Sequence, residues 1–243
     1  WFFSPYDTSV VTAEIMEKLI PKFLTDDATE EDLQKAEMII LQSIQPVTPS
    51  IKGAHPLREG SKRLLGDLYW IVDGLIEKKY ATKLGKVCHE EFIYKLADTL
   101  ELEISDRYPE NENGYHDFSY IWFDLFADAE KSRIDSVEET IAMVLREVLT
   151  AKAEVNPKQT AEILKFLLHK NYPIYTRFVI FIINKYWDKY KDLISELLSI
   201  KHETLLSSGH YERELFELFN NHIVDFTTAQ KTELKKMIGT GPP

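Results

Sequence analysis

With a single cysteine, Cys88, in 243 residues, the chain holds no intramolecular disulfide, which fits a reducing cytosol better than an oxidising compartment. Glycine is scarce, at nine residues, and apolar–polar alternation is almost absent, so the pattern argues against sheet and for helix. No apolar run reaches the ~18–20 residues that a membrane-spanning helix needs. No N-terminal stretch has the basic, apolar and small-residue order of a signal peptide. Basic charge is short as well: 29 Lys and Arg stand against 40 Asp and Glu, a formal charge of −11. Without a basic stripe to track phosphates, nucleic acid is not an expected partner. Motifs for chemistry are missing too. The chain has no Gly-x-Gly-x-x-Gly, no Gly-Lys-Ser/Thr phosphate loop and no Gly-x-Ser-x-Gly, so no cofactor is expected.

What is present is ordinary globular material, 44% hydrophobic and 28% charged. A chain of this length can bury roughly 70–75% of the surface its unfolded form exposes, enough for a self-sufficient core. Trp1 in first place and the Gly-Thr-Gly-Pro-Pro ending fit a piece of a longer protein.

Helical periodicity recurs along the chain. Residues 9–24 place Val11, Ile15, Leu19 and Phe23 on one stripe, with a kink at Pro21. Thr29 followed by Glu30, Glu31 and Asp32 reads as a helix start, and that helix stops at Gln45 before Pro46. Residues 46–56 form a loop. A helix follows over 61–78, in which Gly66 and Gly74 suggest close approach of a neighbour. A turn is expected around Gly85, then a helix carrying Phe92, Leu96, Leu100 and Ile104. Residues 105–117 read as a loop, and 118–131 as a short aromatic helix. Ser136 with Glu139 forms a capping box, as does Thr227 with Gln230, while Asn156-Pro157 supplies a cap and a first-turn proline. The run Phe178 to Ile183 is too apolar for a surface helix and reads as a central buried one, with a buried strand as the alternative. Helices over 188–199, 210–220 and 227–238 complete the series, the last closed by Gly239. Ile180, Ile183, Leu145, Leu164 and Leu218 are expected in the core. The fold reads as all-α, with antiparallel helix pairs in an irregular HEAT/TPR-like α-solenoid or α-α superhelix. The pattern has no strict repeat period, and it spans 1–243 as a single helical-repeat domain with sub-boundaries at 46–56 and 105–117.

Few residues invite chemistry. Cys88-His89-Glu90-Glu91 lacks a second histidine one turn on, so the two-His zinc pattern fails and no metal is expected. His116 beside Asp117 has the composition of a general base without a nucleophile nearby. From Asp98 to Glu139 the carboxylates face only Arg107, Lys131 and Arg133. This belt reads first as a solvated acidic face and second as a docking surface for a basic partner. Beside it crowd Phe118, Tyr120, Trp122, Phe123 and Phe126, more rings than one helical stripe can bury. Core packing is the first reading of these rings, with one or two left for a partner, so Tyr120, Trp122, Glu110, Glu112 and Asp128 are the candidate partner-binding residues.

The order of Asp117-Phe-Ser-Tyr-Ile-Trp122, Ser136 to Leu149 with Arg146, Pro173-Ile-Tyr-Thr-Arg-Phe-Val-Ile180, Glu212-Arg-Glu-Leu-Phe-Glu-Leu-Phe219 and Phe226 to Pro242 resembles the helical C-terminal region of large bacterial STAND-type NTPases, many of them antiviral (AVAST-like). The similarity covers about the last 130 residues. It implies a cytoplasmic, non-enzymatic sensor module that binds a viral protein and oligomerises only within the full-length protein, with ATPase and effector activities outside this segment. The alternative is a free-standing helical regulatory subunit, or an enzyme whose site is assembled from dispersed residues such as His89, Glu90, His116 and Asp117.

Overall fold

Helix ends are set by local chemistry. In the computed structural model Thr29 caps the first full helix, its hydroxyl accepting from Asp32 N at 3.2 Å while the Asp32 carboxylate accepts from Thr29 N at 3.1 Å. Ser136 Oγ accepts from Glu139 N at 3.2 Å, and Asn156 Oδ1 from Gln159 N at 3.2 Å. Thr227 and Gln230 satisfy each other's backbone N–H at 3.2 and 2.9 Å. Each of these starts was readable from sequence, because a cap involves only residues three apart.

The structure describes residues 18–44, 75–76, 79–110, 114–122, 125–126, 136–201, 204–206 and 208–240. These form helices and turns with no β-strand among them, so the all-α expectation holds for the described chain. No helix among them is long and apolar enough to cross a membrane. The chain divides into two compact units, residues 1–109 with 129–152, and residues 110–128 with 153–243.

In the first unit, after helical residues 18–23, α1 (Glu30–Ile44) packs against α2 (Tyr80–Val87) and α3 (Glu90–Arg107). Ala36, Ile40 and Ile44 of α1 and Phe92, Leu96, Leu100 and Ile104 of α3 are all buried where these two helices pack. The next helix, α4 (Val137–Val155), supplies Ile141, Val144, Leu145 and Val148. The turn expected around Gly85 is instead the interior of α2. A Cβ on Gly85 would lie 2.5 Å from Val148 O and 2.8 Å from Val148 Cα, so this glycine lets two helix backbones touch. The close helix approach expected at Gly66 and Gly74 falls on residues outside those described, as does most of the expected helix over 61–78.

In the second unit, α6 (Pro173–Lys185) is the central element, flanked by α5 (Pro157–Leu168) and α9 (Glu212–His222). Every side chain from Pro173 to Ile180 is buried, which settles the apolar run as a buried helix rather than a strand. The single helix expected over 188–199 is two, α7 (Trp187–Tyr190) and α8 (Leu193–Ile200). The break follows Tyr190, whose hydroxyl donates to Ala153 O at 3.0 Å. A one-turn 3-10 segment, Gly209–Tyr211, leads into α9, and α10 (Thr228–Thr240) packs on α8. Gly239 lies inside α10, not beyond its end as a left-handed cap, since the helical hydrogen-bond ladder continues to Thr240. Ile180, Ile183, Leu145, Leu164 and Leu218 are all fully buried, as expected.

Candidate recognition site

The aromatic helix expected over 118–131 is absent where it is described. Phe118 adopts φ 52, ψ 13, a left-handed conformation that a bulky residue rarely takes, and a 3-10 turn, Ser119–Ile121, follows, with Leu125 also in 3-10 conformation. The backbone here is held by distant groups as well as by local 3-10 bonds, Trp122 N to Ser119 O at 2.9 Å and Leu125 N to Trp122 O at 3.2 Å. Asp117, with 0% exposure, accepts from Ser119 N at 2.9 Å through Oδ1 and from Ile174 N at 2.6 Å through Oδ2. The second bond makes Asp117 the N-terminal cap of α6, whose own N-cap residue, Tyr172, makes no side-chain capping bond.

Ser119 O is in turn held by Arg177 Nη1. Arg177, 2% exposed on α6, forms a two-pronged pair with Glu214, 3% exposed on α9: Nε to Oε2 at 3.0 Å and Nη2 to Oε1 at 2.7 Å. Its guanidinium also lies 4.9 Å from the Phe126 ring centre. Turn, α6 and α9 are thus tied through one buried cation. The Ser119 hydroxyl, fully buried beside them, finds no hydrogen-bond partner among the described residues.

At the rim, His116 Nδ1 and His210 Nε2 sit 3.3 Å apart. Burial lowers the His210 pKa, the nearby Asp117 opposes that, and His116 and Arg177 add to it, so the ring is neutral at neutral pH. Burial also pushes the Tyr211 phenol up to about 12. On the outer side Phe118 and Tyr120, 42% and 43% exposed, stand with ring centres 6.0 Å apart, and Tyr120 meets His210 edge-on at 5.4 Å.

The sequence candidates distribute unevenly. Tyr120 is on the surface and Glu110 is exposed, whereas Trp122, at 8%, is packed inside and its ring offers a partner almost nothing. Glu112 and Asp128 lie outside the described residues. The acidic belt is not uniformly a solvated face: Asp117 is consumed as a cap, and Glu138 is buried against Arg107. Glu103 near it has its pKa raised to about 7, by burial first and then by the Glu138 and Asp106 charges.

The dispersed set His89, Glu90, His116 and Asp117 is split, the first two belonging to one unit and the last two to the other. His89 is occupied by Glu37 and Glu30, at 2.9 Å and 2.7 Å. Burial opposes its charged form, but the two carboxylates outweigh burial and raise its pKa. Among the described residues no group of three or more His, Cys, Asp or Glu side chains is arranged to hold a metal ion. Cys88 is buried, with its thiol pushed up to about 12, so it is no nucleophile at neutral pH.

Sequence reasoning missed Phe118 as a surface anchor and the Arg177–Glu214 pair beneath it. For the pair a signal existed. Arg177 is the one charge between Pro173 and Asn184, and a charge in so apolar a helix requires a buried acid. Nothing local pointed to Glu214 as that acid. No family model, curated protein or solved structure matches the chain.

Proposed function

We propose that this chain is a non-enzymatic helical recognition module, the sensor segment of a bacterial antiviral STAND-type NTPase that binds a viral protein in the cytoplasm. In that reading the helices of both units belong to an irregular HEAT/TPR-like solenoid, and oligomerisation belongs to the full-length protein. The observation that carries it is the exposed Phe118–Tyr120 pair on a turn fixed from below by Asp117, Arg177 and Glu214. Rigid aromatics held at a surface are the side chains that dominate protein–protein binding energy, because little conformational entropy is lost when they dock. The buried polar groups support the same reading over catalysis. Both Asp117 oxygens are taken by backbone N–H groups, and the Ser119 hydroxyl lies inside, away from any substrate.

The test is co-purification of the full-length protein with individually co-expressed viral proteins, beside inspection of the reading frame upstream for a nucleotide-binding module. One viral protein retained by the parent and lost by the Phe118→Ala/Tyr120→Ala variant is the expected result. Retention of none, with no nucleotide-binding module upstream, overturns the reading.

A further inference from the structure

Resting on the recognition reading, we propose that the Phe118–Tyr120 surface is a docking site for an arginine- or lysine-bearing segment of a basic protein partner, with the cation seated on the Tyr120 ring. Three observations lead there. The first is the mount. A phenylalanine held at φ 52 is strained, and strain in a surface residue persists only where the surroundings over-determine it. Here they do, through the Asp117 cap and the Arg177 contact to Ser119 O on the residues either side. The ring is thereby turned outward beside Tyr120 instead of into the core.

The second is charge. Residues 110–128 contain Glu110, Glu112, Asp117, Asp124 and Asp128 and no Lys or Arg at all. Asp117 is spent inside the fold, which leaves four other carboxylates in that stretch of sequence, Glu110 exposed among them, and the buried cation beneath the turn, Arg177, is paired with Glu214. The neighbouring His210 is kept neutral by its burial, so it adds no positive charge at neutral pH.

The third is the habit of this chain with its other rings. Lys170 lies over Tyr175, Lys185 over Phe181, Lys189 over Tyr186 and Arg177 over Phe126. Among the described residues no such cation lies over Tyr120, whose ring contacts are Phe118 and His210. An exposed tyrosine face within an acidic stretch of sequence attracts a cation through the ring quadrupole, with the negative charge of the stretch adding attraction and on-rate.

The experiment titrates the isotopically labelled chain with a Gly/Ser peptide carrying arginines and with its glutamate counterpart, following the Tyr120 and Phe118 ring resonances by NMR. Saturable shifts at both rings with the arginine peptide, weakened by salt and absent with glutamate, are expected. Tyr120→Leu keeps apolar area but removes the π face and should weaken the arginine peptide about 10-fold, while Tyr120→Phe should bind as the parent does. Phe118→Asn, which tolerates the left-handed backbone, should lose binding with a melting temperature within about 2 °C of the parent. Arginine-peptide shifts confined to other residues, no saturable shift at either ring, or equal affinity of Tyr120→Leu, would each overturn the proposal. Failure here with Phe118→Asn still abolishing capture of a viral protein by the full-length chain would reject the cation chemistry and leave the recognition reading standing. Loss of both signals would reject both.

Discussion

Replacing Glu214 by leucine isolates what the buried cation contributes. In the parent, two guanidinium nitrogens bind the Glu214 carboxylate at 3.0 and 2.7 Å, with neither residue more than 3% exposed. Removing the acid leaves Arg177 charged and desolvated, a situation that costs ~3–5 kcal/mol. For a chain of this size 1 kcal/mol shifts a melting transition by roughly 2–4 °C, so the Glu214→Leu transition should fall by roughly 6–20 °C. Arg177→Met strands Glu214 in the same way and also removes one of the two bonds to Ser119 O, which keeps its bond from Trp122 N at 2.9 Å, so its loss should be at least as large. The double variant replaces the pair by apolar groups, and its remaining deficit should be about 1 kcal/mol, from the lost Arg177 bond to Ser119 O. The cycle therefore carries an interaction energy of several kcal/mol, readable from calorimetric or circular-dichroism melts of the four proteins. Amide exchange at 119–122 should accelerate in Arg177→Met, since the tie from the turn to α6 is then broken. If the two single losses add to the double within about 0.5 kcal/mol, the pair is not coupled and the account of the mount is wrong.

Gly85→Ala tests the helix contact of the first unit. Alanine in a helix interior normally gains ~1 kcal/mol over glycine, but here the new methyl would meet Val148 backbone atoms at 2.5 and 2.8 Å. Backbone cannot move aside cheaply, so a net loss of roughly 1–3 kcal/mol is expected in thermal melts, and a rise in melting temperature would contradict the packing. Glu103→Gln tests the buried carboxyl near Glu138. Because the folded pKa, about 7, lies above the ordinary value of 4.5, the folded state keeps a proton that the unfolded chain gives up. That stabilisation is complete below about pH 4.5 and is lost as pH rises through 7. A difference of that size has a ceiling of roughly 3 kcal/mol, which partial contact with solvent reduces to about 1 kcal/mol. Melts between pH 5 and 8 should then show the parent losing stability with rising pH relative to the variant, by about that amount, and parallel curves would refute the assignment.

Much of the secondary structure was determined by the sequence itself, and for a common reason. The caps at Thr29, Ser136, Asn156 and Thr227 and the burial of Ile180 and Ile183 depend on residues a turn or two apart, where the backbone holds side chains at fixed offsets. The turn at 114–122 was decided by tertiary structure. Its aromatic spacing favours a helix, but Asp117 serves as the cap of a helix 57 residues on, and Ser119 O answers to a cation 58 residues on. Those bonds replace the ladder a local helix would have made, and they turn Phe118 out and Trp122 in. Gly85 followed the same logic: a residue that locally reads as a breaker sits in a helix because Val148 passes too close for any Cβ. Buried polar groups and close backbone contacts are satisfied by whichever element arrives opposite, and no spacing in the sequence encodes that arrival.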